Sequence, residues 1–591
     1  MGSPKLDLKI MEIDENIQNH ATELANIVSY RPLVTETYIS TSLQNFIDNN
    51  TNVKIKKGDY VLDVSIKIPS NRSIEIEEGT TFTLKSGCNQ YMFQNADLIN
   101  GNTNINIRGG WFDGNGSTNT RNYTGATLND VYYGFGLFFS KVKNLKLKDI
   151  KMNNTTAWAI AGNCCEDVVI DNIEILQDMT SYSSNKDGVT FSGGKNIKVN
   201  NIRGCTSDDL VAMCGWGAQM ASTELLFDLQ NMENVSITNV TSLTVDGKSA
   251  QTCISLYQRL GLTVKNVSID NVKGDVNYCP IQIKGLDVTT PHFFNINISN
   301  VNCDKISTAV GIIQINANVD TINITNLNRH ANDNKATIYI LGTVDTINIS
   351  NVNNKWDTTM GSFIYDMGNV KNINLNNISL ISLTNANGFV YTKNSVSSTV
   401  TTKLQGSNIT LNSNLYSYSV ILKMAGNIAV NSISMSVDKT LLTPFVGDII
   451  KEISSELLRN KVAGWSNLND KYKQTFVGYY NSLPASSGIQ TVSFNGGNNK
   501  SIVMTTSGSI TGLALNVSAA KTAGTITVQV YKSGNTPLDA ILLFTSVYVQ
   551  TISFPKDTVP FNANDVLTVK ISSSSDLAPL NDVSIVMTVE N

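Results

Sequence analysis

Three carboxylates stand out by type and spacing. Asp187 lies in NKDGVTF, and Asp208 and Asp209 are adjacent in SDDLVAM, 21 and 22 residues further on. If that interval is one turn of a stacked coil, the side chains share one patch of surface, about 4.8 Å apart along the stack. Like charges so close repel, which raises at least one pKa and keeps a carboxylic acid protonated near neutral pH. Glycoside hydrolysis needs such a set: one carboxyl protonates the leaving oxygen, while others hold a water on the opposite face of the sugar or attack directly. Asp-Gly and Ser-Asp-Asp are each ordinary turn sequences. Their joint spacing, and GGWFDGNG (Gly109 to Gly116) about two coils upstream, separates them from the other turns.

The coil is legible as a repeat. Segments starting at Asn144, Asp167, Asn196, Asn234, Asn266, Asn295, Thr321, Thr346 and Asn372 follow one phrase: apolar residues alternating with polar ones, then Asn or Asp, then an apolar residue. Their starts are 23, 29, 38, 32, 29, 26, 25 and 26 residues apart. Period-2 alternation predicts strands with one buried face, and this interval is too short for a βαβ unit but fits one turn of a β-solenoid. Stacked turns bury Ile, Leu and Val continuously, and the recurrent Asn172, Asn201, Asn239, Asn271, Asn300, Asn326, Asn351 and Asn377 suit an amide ladder at a bend.

The flanking segments read differently. Residues 1–30 suggest a helical stub, with Ile10, Ile13, Ile17, Leu24 and Ile27 at heptad positions and His20 at another; Ile at both core positions favours three strands. ISTSLQNFIDN (Ile39 to Asn49) predicts a short helix capping the open end of a solenoid that spans 31–445. Amphipathic spacing in DIIKEISSELLRN predicts a helical connector over 446–483. Short strand-like runs separated by Gly, Ser, Asn and Asp predict a β-sandwich over 484–591, for carbohydrate binding or trimerisation.

Composition excludes several classes. Charged residues are 16% of the chain and the net charge is −4, so there is no basic stripe for nucleic acid and no polybasic membrane patch. No run of about 18 apolar residues occurs, and the first residues do not form a secretory signal, so a soluble chain without membrane insertion is expected. The eight cysteines lack paired C-x-x-C spacing and read as small core residues; neither metal nor cofactor is expected.

Residues from about 40 to 290 resemble the polygalacturonase-like hydrolases of glycoside hydrolase family 28, and the phage tailspike and pre-neck appendage proteins built on the same fold. WFDGNG is similar to the family's G-x-[IV]-D-G-x-G segment, and TTAWAIAGNCCEDVVIDNIEI (Thr155 to Ile175) to its N-S-P-x-W segment. NKDG resembles N-T-D-G, and DDLVAM resembles D-D-x-[IV]-A-[IV]. The resemblance implies an all-β chain, a right-handed parallel β-helix of pectin-lyase-like type followed by the β-sandwich. It also implies Asp208 as general acid, with Asp187 and Asp209 positioning water for an inverting attack. Two departures follow. Thr252 stands where the family has the histidine of G-H-G, and CPIQIKG replaces R-I-K, so that Gln282 takes the arginine's place and Lys284 remains. Loss of a bidentate basic group argues against galacturonan.

Substrate contacts are expected from Lys284, Gln282, Thr252 and Arg259, and from Trp216 in GWG, because pyranose faces stack on aromatic rings. Tyr132, Tyr133 and Phe135 are read as another groove wall; Trp111 and Trp158 fit either wall or core. The tailspike likeness implies a homotrimer on a phage tail or baseplate, virion-borne and acting outside the cell on a bacterial surface polysaccharide such as exopolysaccharide, teichoic acid or capsule. Two alternatives stay open: an inactive glycan-binding adhesin, and a polysaccharide lyase, for which no basic arginine beside Asp187 is visible in the sequence.

Overall fold

The computed structural model describes residues 27–179, 185–215, 219–220, 223–224, 227–259, 261–286, 292–303, 306, 311–331, 335–356 and 362–382, strand segments between 390 and 467, and most of 473–590. The chain is a right-handed parallel β-helix followed by antiparallel sheets. It divides into two compact units, one ending at Ile324 and one beginning at Thr325.

In the first unit the alternating segments are strands that pair in parallel with the next coil. Six carry the site: β1 (Ile160–Leu176), β2 (Val189–Cys205), β3 (Asp209–Gly215), β4 (Thr252–Gln258), β5 (Ile281–Gly285) and β6 (Gly311–Asn316). One register line runs Ile160, Val189, Val211, Ile254, Ile281, Ile313. All six are fully buried, so each coil adds an aliphatic side chain to a continuous interior. Full burial of such a side chain contributes about 1.5–3 kcal/mol relative to exposure.

The bends depend on asparagine. Asn172, Asn201, Asn239, Asn271 and Asn300 all have φ between 55° and 57°. Asn accepts this left-handed geometry because its short amide bonds locally. The amides also bond between coils: Asn239 Nδ2 donates to Asn201 Oδ1 at 3.1 Å, and Asn271 Nδ2 to Asn239 Oδ1 at 2.6 Å.

The N-terminal end is closed by helix α1 (Ser40–Asn49), which buries Ser40, Leu43 and Ile47 on one face. Gln44 meets the exposed edge of the Ile66–Ile68 strand with both ends of its amide: Nε2 donates to the Lys67 carbonyl at 2.8 Å, and Oε1 accepts from Lys67 N–H at 2.7 Å. Arg72 in turn caps the helix carbonyls of Ile47 and Asp48. At the end of the expected 1–30 stub, Val28–Tyr30 is a strand pairing in parallel with Asn52–Ile55. Residues 1–26 lie outside the described residues.

In the second unit the same phrase forms parallel strands at Thr343–Trp356, Asn369–Ser382 and Thr402–Ser413. The connector is corrected. Ile449–Lys451 and Leu457–Lys461 are antiparallel strands, with Ile450 opposite Leu458, in place of the expected helix. Ser436 pairs with Lys451, so a neighbouring strand supplies backbone partners that a helix this short, marginal in water, cannot match. The sandwich also begins before residue 484, because Lys473–Leu483 pairs along its length with Leu580–Glu590. Its core includes Leu513, Leu515, Val528, Val569, Ile585 and Met587.

Candidate functional site

The carboxylates meet where β2 and β3 begin. Val189 and Val211 are register partners, and Gly188 N–H donates to the Asp209 carbonyl at 2.8 Å, which sets Asp187 over Asp209 on successive coils. Gly188 belongs to this geometry: a Cβ there would lie 2.3 Å from the Leu210 carbonyl oxygen. Asp187 and Asp209 are buried, whereas Asp208, next to Asp209 just before β3, is partly exposed. The site thus has two carboxyls in its floor and one directed to where a solvent-borne chain could reach it.

Burial raises all three, and repulsion from neighbouring carboxylates adds to it for Asp187 and Asp208. Asp187 is driven well above the usual carboxylate range by burial, then by Asp208 and Asp209. Its Oδ2 accepts from Thr190 Oγ1 at 2.8 Å, while Oδ1 is buried with no hydrogen-bond partner among the described residues. Burial, with Asp209 beside it, pushes Asp208 up to about 8; Lys284 opposes this. Burial pushes Asp209 to about 6, held back by the Ser255 and Thr252 hydroxyls and by Lys284. The ordering leaves Asp208 protonated at neutral pH beside a partner that is largely ionised. That is a proton donor and a base in one patch.

The floor continues along β4, β5 and β6. Thr252 is the register partner of Asp209 and turns its hydroxyl to that carboxyl, at the position where the family has histidine. Ser255, Gln282 and Gln314 form one line, and Tyr257, Lys284 and Asn316 the next. Lys284 Nζ lies 3.3 Å from the Tyr257 hydroxyl and 5.2 Å from its ring centroid. Arg259 is carried past the end of β4 into a turn, its carbonyl accepting from Leu262 N–H at 3.2 Å. Trp216 lies outside the described residues.

Several participants were not legible beforehand. Thr190, Ser255 and Tyr257 alternate with apolar residues on their strands, so only the register shows them facing the carboxylates. Arg121 is another, because its charge acts on Asp187 from 66 positions away, with Nη2 held by the Thr156 carbonyl at 3.0 Å.

The proposed aromatic wall is corrected. Tyr132, Tyr133 and Phe135 are buried with Trp158 and Phe227 in one apolar cluster, in which Phe135 stacks on Trp158 at 4.6 Å. Trp111 is 48% exposed, its indole N–H donating to Asn153. WFDGNG is a structural turn: Asp113 Oδ1 accepts from Asn115 N–H at 2.8 Å, and a Cβ on Gly116 would lie 2.5 Å from the Thr155 carbonyl oxygen.

Residues 48–328, which include all three carboxylates, match the family model described as Glycosyl hydrolases family 28. No curated protein matches the chain. Similar solved structures include a tailspike protein of E. coli bacteriophage HK620 in complex with pentasaccharide, at 12% identity over 97% of this chain and 94% of that one, TM-score 0.48. They also include a Yersinia enterocolitica Family 28 exopolygalacturonase, at 13% identity over 69% and 78%, TM-score 0.40. PfbA, a surface adhesin of Streptococcus pneumoniae, aligns at 12% identity over 73% and 95%, TM-score 0.36.

Proposed function

We propose, from the match of residues 48–328 to glycosyl hydrolases family 28, that the chain hydrolyses a polysaccharide at the Asp187, Asp208, Asp209 cluster. The observation that carries this reading is the geometry of the three: Asp187 set over buried Asp209 by the backbone bond from Gly188 N–H to the Asp209 carbonyl, with Asp208 partly exposed next to Asp209. Asp208 gives its proton to the glycosidic oxygen as the bond to the anomeric carbon breaks. Water positioned by Asp187 and Asp209 attacks that carbon from the opposite face and passes a proton to Asp209, inverting the configuration. The unpartnered Oδ1 of Asp187 is an acceptor suited to orienting that water.

The finer reading is a virion-borne tailspike or appendage, assembled as a homotrimer on a phage tail or baseplate. Its target would be a bacterial exopolysaccharide, teichoic acid or capsule. What supports it is the order of parts, a β-helix carrying the site and then a separate β-sandwich. Gln282 in the arginine's place supports a substrate other than galacturonan.

The test is release of new reducing ends from exopolysaccharide, wall teichoic acid and capsule preparations, with products identified by mass spectrometry. Discrete oligosaccharides that vanish with Asp208→Asn support hydrolysis. Retention on the same material without products supports the adhesin reading, which the absent histidine favours. Products with an unsaturated, ultraviolet-absorbing end would point to a lyase, with Arg121 the first base to test.

A further inference from the structure

The outward face of the sheet that carries the carboxylates changes character where they stand. One register line on this face runs from Phe138, on the Leu137–Ser140 strand, through Ala161 of β1 to Thr190 of β2, whose hydroxyl holds Asp187. It then passes through Ala212, Ser255, Gln282 and Gln314 on β3 to β6. The line is apolar up to Thr190 and carries hydroxyls and amides from Ser255 onward. The next outward line starts with Ser140, Asn163 and Ser192 and ends with Lys284 and Asn316. Phe138, Ala161, Ser140, Asn163 and Ser192 are fully buried, although strand alternation points them away from the aliphatic interior. Gln282, Lys284 and Asn316 are partly exposed.

Phe138 and Ala161 are buried because they lie under the aromatic cluster. The Phe227 ring stacks on Phe138 at 5.7 Å, and Phe135, itself stacked on Trp158, lies 5.6 Å from the same ring. The loop that carries part of this cover is tied down. Asn122 and Tyr132 exchange two backbone hydrogen bonds of 2.8 Å, Arg121 Nη2 donates to the Thr156 carbonyl at 3.0 Å, and the Tyr132 hydroxyl lies 3.2 Å from Thr156 Oγ1. Ala161 is the register partner of Thr190, so this wall stands one coil from Asp187.

We infer that a glycan reaches the carboxylates from one side only, lying over β4 to β6, and is cut close to its end. This rests on the hydrolase reading of the site. A sugar chain laid along the stack crosses one coil about every 4.8 Å. Toward the C-terminal coils it meets the amides of Gln282 and Asn316, which suit sugar hydroxyls as donors and acceptors. In the other direction it meets the covered Ala161 and Phe138 directly after Thr190. The part of the chain beyond the cut is therefore short and of fixed length, and each turnover releases the same small piece.

The experiment uses the full chain on exopolysaccharide, wall teichoic acid and capsule preparations fractionated by length. On a preparation that wild type cleaves, the expected result is one short product from the first time points, while the mean length of the remaining polymer falls slowly. A ladder of intermediate sizes with a rapid fall in mean length would overturn the inference and leave hydrolysis standing. Binding gives a second reading that needs no turnover. Asp208→Asn, or wild type if it retains a glycan without cutting it, is titrated against chains of increasing length. One protein per chain at every length is expected of a site closed on one side. A number bound that grows with chain length would overturn the inference. Neither cleavage nor retention on any of the three would remove the glycan site, and the inference with it.

Discussion

Asp187 lies directly over Asp209 on the preceding coil, fixed there by the 2.8 Å bond from Gly188 N–H to the Asp209 carbonyl. Two buried carboxyls at one-coil separation oppose folding whenever both ionise. The arrangement therefore lowers stability at the pH values where both carboxyls are charged.

Replacing Asp187 by Asn therefore stabilises the protein while removing activity. Its carboxyl is raised in the folded state, so wild type loses stability as pH rises above about 4, the unfolded value. The expected outcome is a Tm for Asp187→Asn a few degrees above wild type at pH 8, at roughly 2–4 °C per kcal/mol, and nearly equal at pH 4. Paired melting curves at the two pH values check it. A lower Tm at pH 8 would mean that the carboxylate is a structural partner.

The pH–rate profile should be bell-shaped. Turnover rises as the cluster loses a first proton through about 6 and falls as it loses a second through about 8. The pair titrates together, so the two limbs belong to the cluster and not to either residue. Initial rates from pH 4 to pH 10 on the cleaved polysaccharide would show an optimum near neutrality. An optimum near pH 4, usual for unperturbed carboxyls, would contradict the assignment.

Gly188 has no room for a side chain, with the Leu210 carbonyl oxygen 2.3 Å from any Cβ. Gly188→Ala must move β2 away from β3, at a cost of about 1–3 kcal/mol, and it separates Asp187 from Asp209. A reduced Tm together with loss of reducing-end release is expected. Wild-type activity in this variant would show that the two carboxyls need not be in register.

How much of this was visible in the sequence depends on which force dominates locally. The coils were legible because burial imposes period 2, and the 22-residue step from Asp187 to Asp209 proved to be one coil. The capping helix over Ser40–Asn49 was legible for the same reason. Among the described residues after Asp448 strands stand where a helix was expected, because amphipathic spacing states a local preference and strand partners outweigh it at Ile450 and Leu458. Tyr257 and Ser255 escaped notice because an outward residue on a strand has no signature until register assigns its neighbours. Arg121 came from a loop, where no periodicity tells what it will face.

Trp158 separates core from groove in one substitution. It is 3% exposed, stacked on Phe135 and packed with Tyr133 and Phe227, while the next residue, Ala159, donates its N–H to the Asp187 carbonyl at 2.9 Å. Trp158→Ala should cost about 3–5 kcal/mol as the cluster loses its largest ring. Trp158→Phe, which keeps the ring contact, should retain most stability and bind glycan as wild type does. Trp111→Ala, at an exposed site, should change Tm little. Melting curves and retention on immobilised exopolysaccharide test the contrast. If Trp158→Phe releases glycan while Tm holds, the indole is part of the groove, and the aromatic cluster lines the substrate path.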